Sequence, residues 1–387
     1  MALVAGPDTR WAWVEVDLGA IRKNTREFAN RLRRGERLMA VVKSDAYGHG
    51  VVPCVKAMKT GGAEQFAVAT VAEGVELREA GIEWPILILN EPPISAIPTI
   101  VEHNIMPSVY TADFALALGE CAASNGTTCG YHLAVDTGMT RIGVLPEDAL
   151  ELRRTLEFHR GLSCEGMFTH FATADSPDDW DFALQLNRFE TAVESIRGAG
   201  LDTGLVHCDN TPATILQPKT HFDMCRVGIG LYGLHPADIT RSKINLVPAM
   251  SVRGRITRVE YPNVGDGVGY GLTWRVPRRG VQVATVPIGY ADGLSRVLSN
   301  NMDVLVGGRR CRQVGRICMD QFMFAVEVAE QRTYRKAEKP VAQGDLVTII
   351  GRDGDEEITA DEMANLRDTI NYEVVCDFGL RLEKVYT

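Results

Sequence analysis

The stretch Arg37-Leu38-Met39-Ala40-Val41-Val42-Lys43 is a short apolar run closed by a lysine, and it opens a pattern that repeats as far as residue 227. Similar runs recur at Gln65–Thr70, Pro85–Asn90, Ile105–Tyr110, Tyr131–Asp136, Cys164–Phe168, Gly204–His207 and Met224–Val227, giving eight strand candidates with Arg37–Val42. Helical stretches lie between them. Phe182, Leu186, Phe189, Val193 and Ile196 keep the spacing of one buried helical face. The segment Pro146–Arg160 opens with proline and acids in its first turn, as helices do. Eight β/α alternations predict an α/β chain with an N-terminal (β/α)8 TIM-type barrel, because an open doubly wound sheet usually has fewer strands.

Beyond about residue 245 helical periodicity fades. Short runs rich in Val, Ile and Thr alternate with Gly and Asp turns, as in Ser251–Val259, Val281–Pro287, Met302–Val306 and Asp345–Ile350. This texture predicts a second, mainly β domain. The expected division is a barrel over residues 1–245 and a C-terminal β domain over 246–387. The strand candidate Trp11–Asp17, followed by a helix to about Leu32, could belong to either.

Composition narrows the partners. The 387-residue chain is 45% hydrophobic and 24% charged, ordinary for a globular protein. Its formal charge of −9 argues against nucleic acid, which selects a basic face. No apolar run approaches the ~18 residues that span a bilayer, and Met1–Arg10 lacks a signal-peptide layout. The nine cysteines contain no C-x-x-C pair, so zinc ribbons and redox motifs are not expected, and no metal is. Reduced thiols in a cytoplasmic protein are the simplest reading.

Barrel enzymes gather their chemistry at the C-terminal ends of the strands. Lys43 ends the first strand, Arg141 follows the fifth and His170 the sixth. His207 and Asn210 follow the seventh, and Arg226 lies in the eighth. Lys43 emerges from an apolar barrel mouth, where a desolvated amine has a lowered pKa and can attack a carbonyl. The plainer alternative is a lysine whose stem packs at the rim while its head reaches water. Barrels often bind phosphate between the loops after strands 7 and 8. Here Asn210-Thr211 offers an amide and a hydroxyl at a helix start, and Arg226-Val227-Gly228-Ile229-Gly230 offers backbone N–H groups. Glycines alone say little, since turns need them; a lysine facing such a nest says more.

The segments A-V-V-K-S-D-A-Y-G-H-G, D-T-G-M-T-R-I-G-V, R-V-G-I-G-L-Y-G, P-I-G-Y-A-D-G, I-C-M-D-Q and T-I-N-Y-E-V-V-C run in order from residue 40 to residue 376. Together they resemble the motifs of alanine racemases. That resemblance implies a homodimer with shared active sites, a barrel, a β domain, and pyridoxal 5′-phosphate (PLP) on Lys43. It implies interconversion of L- and D-alanine, with D-alanine supplied to cell-wall peptidoglycan. Lys43 and Tyr290, the tyrosine coming from the partner, would be the two bases on opposite faces of Cα. Tyr47, Tyr372, Thr211, Gly228 and Ile229 would hold the phosphate; the family usually has serine where Thr211 stands. Arg226 would face the pyridine nitrogen, oriented by His170 and His207, whose bland reading is two hydrogen-bonded barrel histidines. Arg141 and the Met319 N–H would hold the substrate carboxylate, and Tyr270 would stand at the entry channel, although a surface turn is as good a reading of V-G-Y-G. Asp136 and Asp320 are expected only to support neighbours. Ala134 departs from the pattern: many members carry a lysine there that helps position the arginine matching Arg141, and a bound anion would have to substitute. The tail after Cys376 also departs, outside the reactive motifs.

Three rivals stay open. A PLP decarboxylase would need a cysteine-aspartate motif that is not visible. A racemase of serine or of broader range differs only in the substrate site. A non-catalytic PLP carrier would resemble the barrel alone, without a second domain bearing Tyr290 and Met319.

Overall fold

The computed structural model describes residues 10–176, 180–328, 339–379 and 381–387. Residues 1–9, read above for a signal peptide, lie outside them, as does Leu380 in the tail. The chain divides into two compact units: Gly19–Pro248, and the described parts of Met1–Leu18 with Ala249–Thr387.

The strand β1 (Ala12–Val16) and the helix Leu18–Ala29 come first in the chain. The first unit then carries eight parallel strands, β2 (Arg37–Val41), β3 (Gln65–Val68), β4 (Ile86–Ile88), β5 (Met106–Val109), β6 (Cys129–Ala134), β7 (Leu162–Phe168), β8 (Leu205–His207) and β9 (Met224–Val227). Their order is β8-β7-β6-β5-β4-β3-β2-β9, so every predicted strand takes its place in one nearly closed sheet. Ile86, Leu87 and Ile88 are all fully buried, as strands covered on both faces must be. Each such side chain contributes about 1.5–3 kcal/mol by leaving water.

The ladder breaks only between β8 and β9. There the Asp223 N–H donates to Val206 O at 3.0 Å and the Arg226 N–H to Asp209 O at 2.9 Å. The Asp223 carboxylate accepts from Val206 N at 2.8 Å. These bonds stitch the seam without extending the sheet. The helix Trp180–Gly198 buries Phe182, Phe189, Val193 and Ile196 of the expected face, while Leu186 is only partly buried.

In the second unit a ten-stranded sheet runs β11-β14-β17-β16-β15-β18-β10-β1-β20, with β19 on β18. Its strands are β10 (Met250–Arg255), β11 (Arg258–Glu260), β14 (Val281–Val286), β15 (Asp303–Leu305), β16 (Arg310–Val314), β17 (Phe322–Glu327), β18 (Leu346–Asp353), β19 (Glu356–Ile358) and β20 (Glu383–Tyr386); β12 (Gly267–Val268) and β13 (Trp274–Arg275) form a separate ribbon. The strand β1, left unassigned by sequence, pairs antiparallel with β10 and parallel with β20. One expectation needs correcting. Ser251–Val259 is not one strand: it breaks after Arg255, β10 pairing with β1 and β18 while β11 pairs with β14. The tail after Cys376 enters the same sheet, β20 supplying the edge partner of β1. Among the described residues, no helix is long and apolar enough to cross a membrane.

Candidate active site

The loop after β2 takes an unusual path. Ser44, Asp45, Ala46 and Tyr47 all have φ between 51° and 54°, a left-handed turn made without a single glycine. Left-handed helix costs L-residues about 1–2 kcal/mol each, so this turn carries on the order of 4–8 kcal/mol of strain. Neighbouring groups impose it. The Glu73 carboxylate accepts from Ser44 N at 2.6 Å and from Ala69 N at 2.7 Å, while Asp45 Oδ1 accepts from Val51 N at 2.7 Å. Strain held in place by such bonds belongs to functional sites more often than to scaffolds.

The turn leaves Lys43 partly buried at the strand end and buries Tyr47 against the loop after β9. A Cβ built on Gly228 would come within 2.6 Å of the Tyr47 hydroxyl, so a glycine is needed there. The Gly228 N–H donates to Thr211 Oγ1 at 3.0 Å. Asn210 caps the helix Thr211–Leu216, accepting from Ala213 N at 3.2 Å, and its amide donates to Phe171 O in the loop after β7. Ile229 follows, fully buried, at the start of a 3-10 turn. Tyr47, Thr211 and Gly228 are thus brought together at one end of the barrel.

Arg226 points into the barrel from β9. Its guanidinium donates to His207 Nδ1 at 2.8 Å, His207 O at 3.0 Å, Thr169 O at 2.6 Å, Cys208 O at 3.0 Å and His170 Nδ1 at 3.3 Å. It lies 5.2 Å from the Phe168 ring centroid, and Phe168 stacks on His207. Arginine can only donate, so His207 Nδ1 accepts and its proton sits on Nε2. That Nε2 donates to His132 Nδ1 at 2.8 Å, which puts the His132 proton on its own Nε2, a buried atom with no bond partner among the described residues. Burial, then the Arg226 charge, hold His132 at about 3. His170 is also held at about 3, by burial and then by the charges of Arg226, Arg141 and Lys43. His207 is pushed well below its ordinary value by burial and Arg226. Arg226 itself falls to about 10, mainly through desolvation.

Sequence reading missed His132. It was sought among residues at strand ends, whereas His132 lies inside β6, between Ser108 and Gly166 in register. A polar residue at an inward position of Tyr131-His132-Leu133-Ala134 was the available signal. Arg141 is exposed on its loop, where Asp136 Oδ1 accepts from Gly138 N and Thr140 N, both at 3.0 Å. Ala134, buried, ends β6.

The remaining candidates lie in the second unit. Tyr290 starts a one-turn 3-10 segment and is 42% exposed; Met319 is 52% exposed. The Tyr290 N–H donates to Cys318 O and the Ala291 N–H to Met319 O, both at 3.0 Å. The two exposed side chains therefore share one local frame. Asp292 anchors it: buried, it accepts from Gly289 N at 2.9 Å and from both Arg10 terminal nitrogens at 2.6 Å. Asp320 accepts from Arg381 at 2.6 Å. Tyr372 is half-buried in the helix Asn371–Asp377, and Tyr270 stands exposed in a 3-10 turn.

The sequence pattern of the family described as "Alanine racemase, N-terminal domain" matches residues 16–236, and "Alanine racemase, C-terminal domain" matches 249–386. The alanine racemase of Symbiobacterium thermophilum is 41% identical over 377 residues, covering 97% of each chain. Among solved structures, alanine racemase of Clostridium difficile superposes with a TM-score of 0.92 at 35% identity, covering 98% of this chain and 97% of that one. A histidine racemase from Leuconostoc mesenteroides shows a TM-score of 0.89 at 29% identity, covering 99% of both. With matches spanning both units at this identity, the chain belongs to the alanine racemase family of isomerases.

Proposed function

We propose that this protein interconverts L- and D-alanine with PLP bound at Lys43, by proton transfer on opposite faces of Cα. The observation that carries the reading is the left-handed turn that seats Lys43 and packs Tyr47 against Gly228 and Thr211. These residues fit the cofactor. An amine ends a strand, two hydroxyls and a glycine loop gather beside it to suit a phosphate, and a buried arginine with neutral histidines suits the ring nitrogen. When bound, PLP supplies the electron sink that acidifies the Cα–H bond.

The chain's own groups do the rest. Lys43 Nζ exchanges a proton with Cα on one face. Oη of Tyr290 of the partner subunit exchanges one on the other, in a homodimer with two shared sites. Arg226, charged and able only to donate, would meet the ring nitrogen as a donor, which would keep that nitrogen unprotonated, limit the sink and disfavour side reactions. Arg141 binds the substrate carboxylate, joined by the N–H of Met319 of the partner subunit. Tyr47, Thr211, Asn210, Gly228, Ile229 and Tyr372 bind the phosphate, and Tyr270 lines the approach. The D-alanine made in the cytoplasm would serve cell-wall peptidoglycan.

A second reading, a different amino acid as substrate, is favoured by the similarity to a histidine racemase. Incubation with single L-amino acids in D2O, following Cα exchange and chirality, decides. The proposal expects alanine to exchange and racemise fastest. Preference for another amino acid overturns the substrate, and decarboxylation or no exchange overturns the function.

A further inference from the structure

Beside the β8/β9 seam lies a second group of reactive side chains. Asp209 follows β8, His221 precedes β9, and Cys225 lies within β9. All three are buried, and one donor atom of each lies within 4.8 Å of the other two. His221 Nε2 is 3.7 Å from Asp209 Oδ2, and Cys225 Sγ is 3.9 Å from the same oxygen. Cys225 is a thiol, not half of a disulfide.

The surroundings of His221 ask for a cation. Its Nδ1 meets the Glu36 carboxylate at 3.0 Å and so donates its proton there. Its Nε2 then faces two more oxygens, Thr214 O at 3.3 Å and Asp209 Oδ2 at 3.7 Å. A neutral ring has only a lone pair to offer them. A metal ion among Nε2, Oδ2 and Sγ would use that lone pair. Asp209 has a fully buried side chain, and its only ion pair among the described residues is with His221. Its other bonds come from the Thr220 hydroxyl at 2.8 Å and from the Cys208 and Cys225 thiols. Two carboxylates thus face this one imidazole, with Arg226 the nearby fixed cation.

We propose that Asp209, His221 and Cys225 form a structural zinc site that staples the β8/β9 seam. A thiolate, an imidazole and a carboxylate are the mixed donor set zinc prefers over magnesium or calcium. Ligand lengths of ~2.0–2.3 Å give a tetrahedron with edges of about 3.3–3.5 Å, so the two separations from Asp209 Oδ2, 3.7 and 3.9 Å, close by about 0.4 Å each, and a water would take the fourth vertex. Glu36 is the outer carboxylate that orients a ligating histidine. Binding deprotonates the Cys225 thiol, whose proton leaves to solvent. The ion would join the end of β8, the link to β9 and β9 itself where the barrel lacks a ladder.

The test uses the PLP-loaded protein, purified without chelator. Elemental analysis should give about one zinc per chain, and added zinc should raise the melting temperature of chelator-treated protein. The pair variant His221→Gln with Cys225→Ser should lose that zinc. Should this variant fail to fold, cobalt substituted into the unaltered protein reads the same point, since tetrahedral thiolate ligation gives intense visible d–d bands. Zinc-free protein that added zinc does not stabilise would overturn the site. So would zinc retained by the pair variant, or cobalt bands of octahedral intensity.

Discussion

At the residue scale, Arg226 organises the barrel interior. Five acceptors converge on its guanidinium, and removing it takes a charged donor from three carbonyl oxygens and two imidazole nitrogens. Arg226→Ala should cost about 2–4 kcal/mol in urea unfolding of the PLP-free protein, at about 1–3 kcal/mol per stranded group and partial relief from burying the charge. An unchanged midpoint would mean that the network rearranges freely. His132 and His170 add a pH dependence. Both are held at about 3, against an ordinary 6.5 in the unfolded chain. The unfolded state therefore binds more protons, and stability present above pH 6.5 drains away as pH falls toward 3. Urea midpoints taken across that window should fall steadily with acid, and a flat profile would contradict neutral buried rings. Lys43, Arg226 and the histidines at strand ends were legible because charged residues seldom follow apolar strands without cause. His132 was not, because one polar residue inside a strand looks like noise until the register shows what it touches.

At the element scale, the left-handed turn is the feature that sequence hid. Ser44-Asp45-Ala46-Tyr47 contains no glycine, and local propensity argues against this conformation. Bonds to Glu73 and Val51 from beyond the turn override propensity, and such bonds cannot be read before the fold is known. The same strain makes a prediction. Ser44→Gly should stabilise the protein by about 0.5–1 kcal/mol, since glycine adopts positive φ freely but loses more entropy on folding. Destabilisation in thermal unfolding would show that the serine side chain is needed. Gly228→Ala places a methyl 2.6 Å from the Tyr47 hydroxyl and should weaken PLP binding about tenfold. Retention of full affinity in a PLP titration would remove Tyr47 from the phosphate site. The strands themselves were legible from their apolar runs. The single strand expected over Ser251–Val259 failed because alternation continues across Ile256-Thr257 although the hydrogen-bond partners change there.

At the scale of the whole molecule, two units with separate sheets each carry part of the proposed chemistry. Lys43 and Arg226 stand in the barrel unit, and Tyr290 and Met319 share a frame in the β unit. A strand from each end of the chain, β1 and β20, is built into the β unit, a pairing that composition could not reveal. The central claim is that each active site joins Lys43 of one subunit to Tyr290 of the other. Mixing the Lys43→Ala and Tyr290→Ala proteins after subunit exchange tests it directly. Each variant alone should be inactive. A random mixture has about half its dimers mixed, each with one intact site of two, so activity should recover to about a quarter of the unaltered enzyme's. Mixed dimers that form but show no recovery would contradict the account.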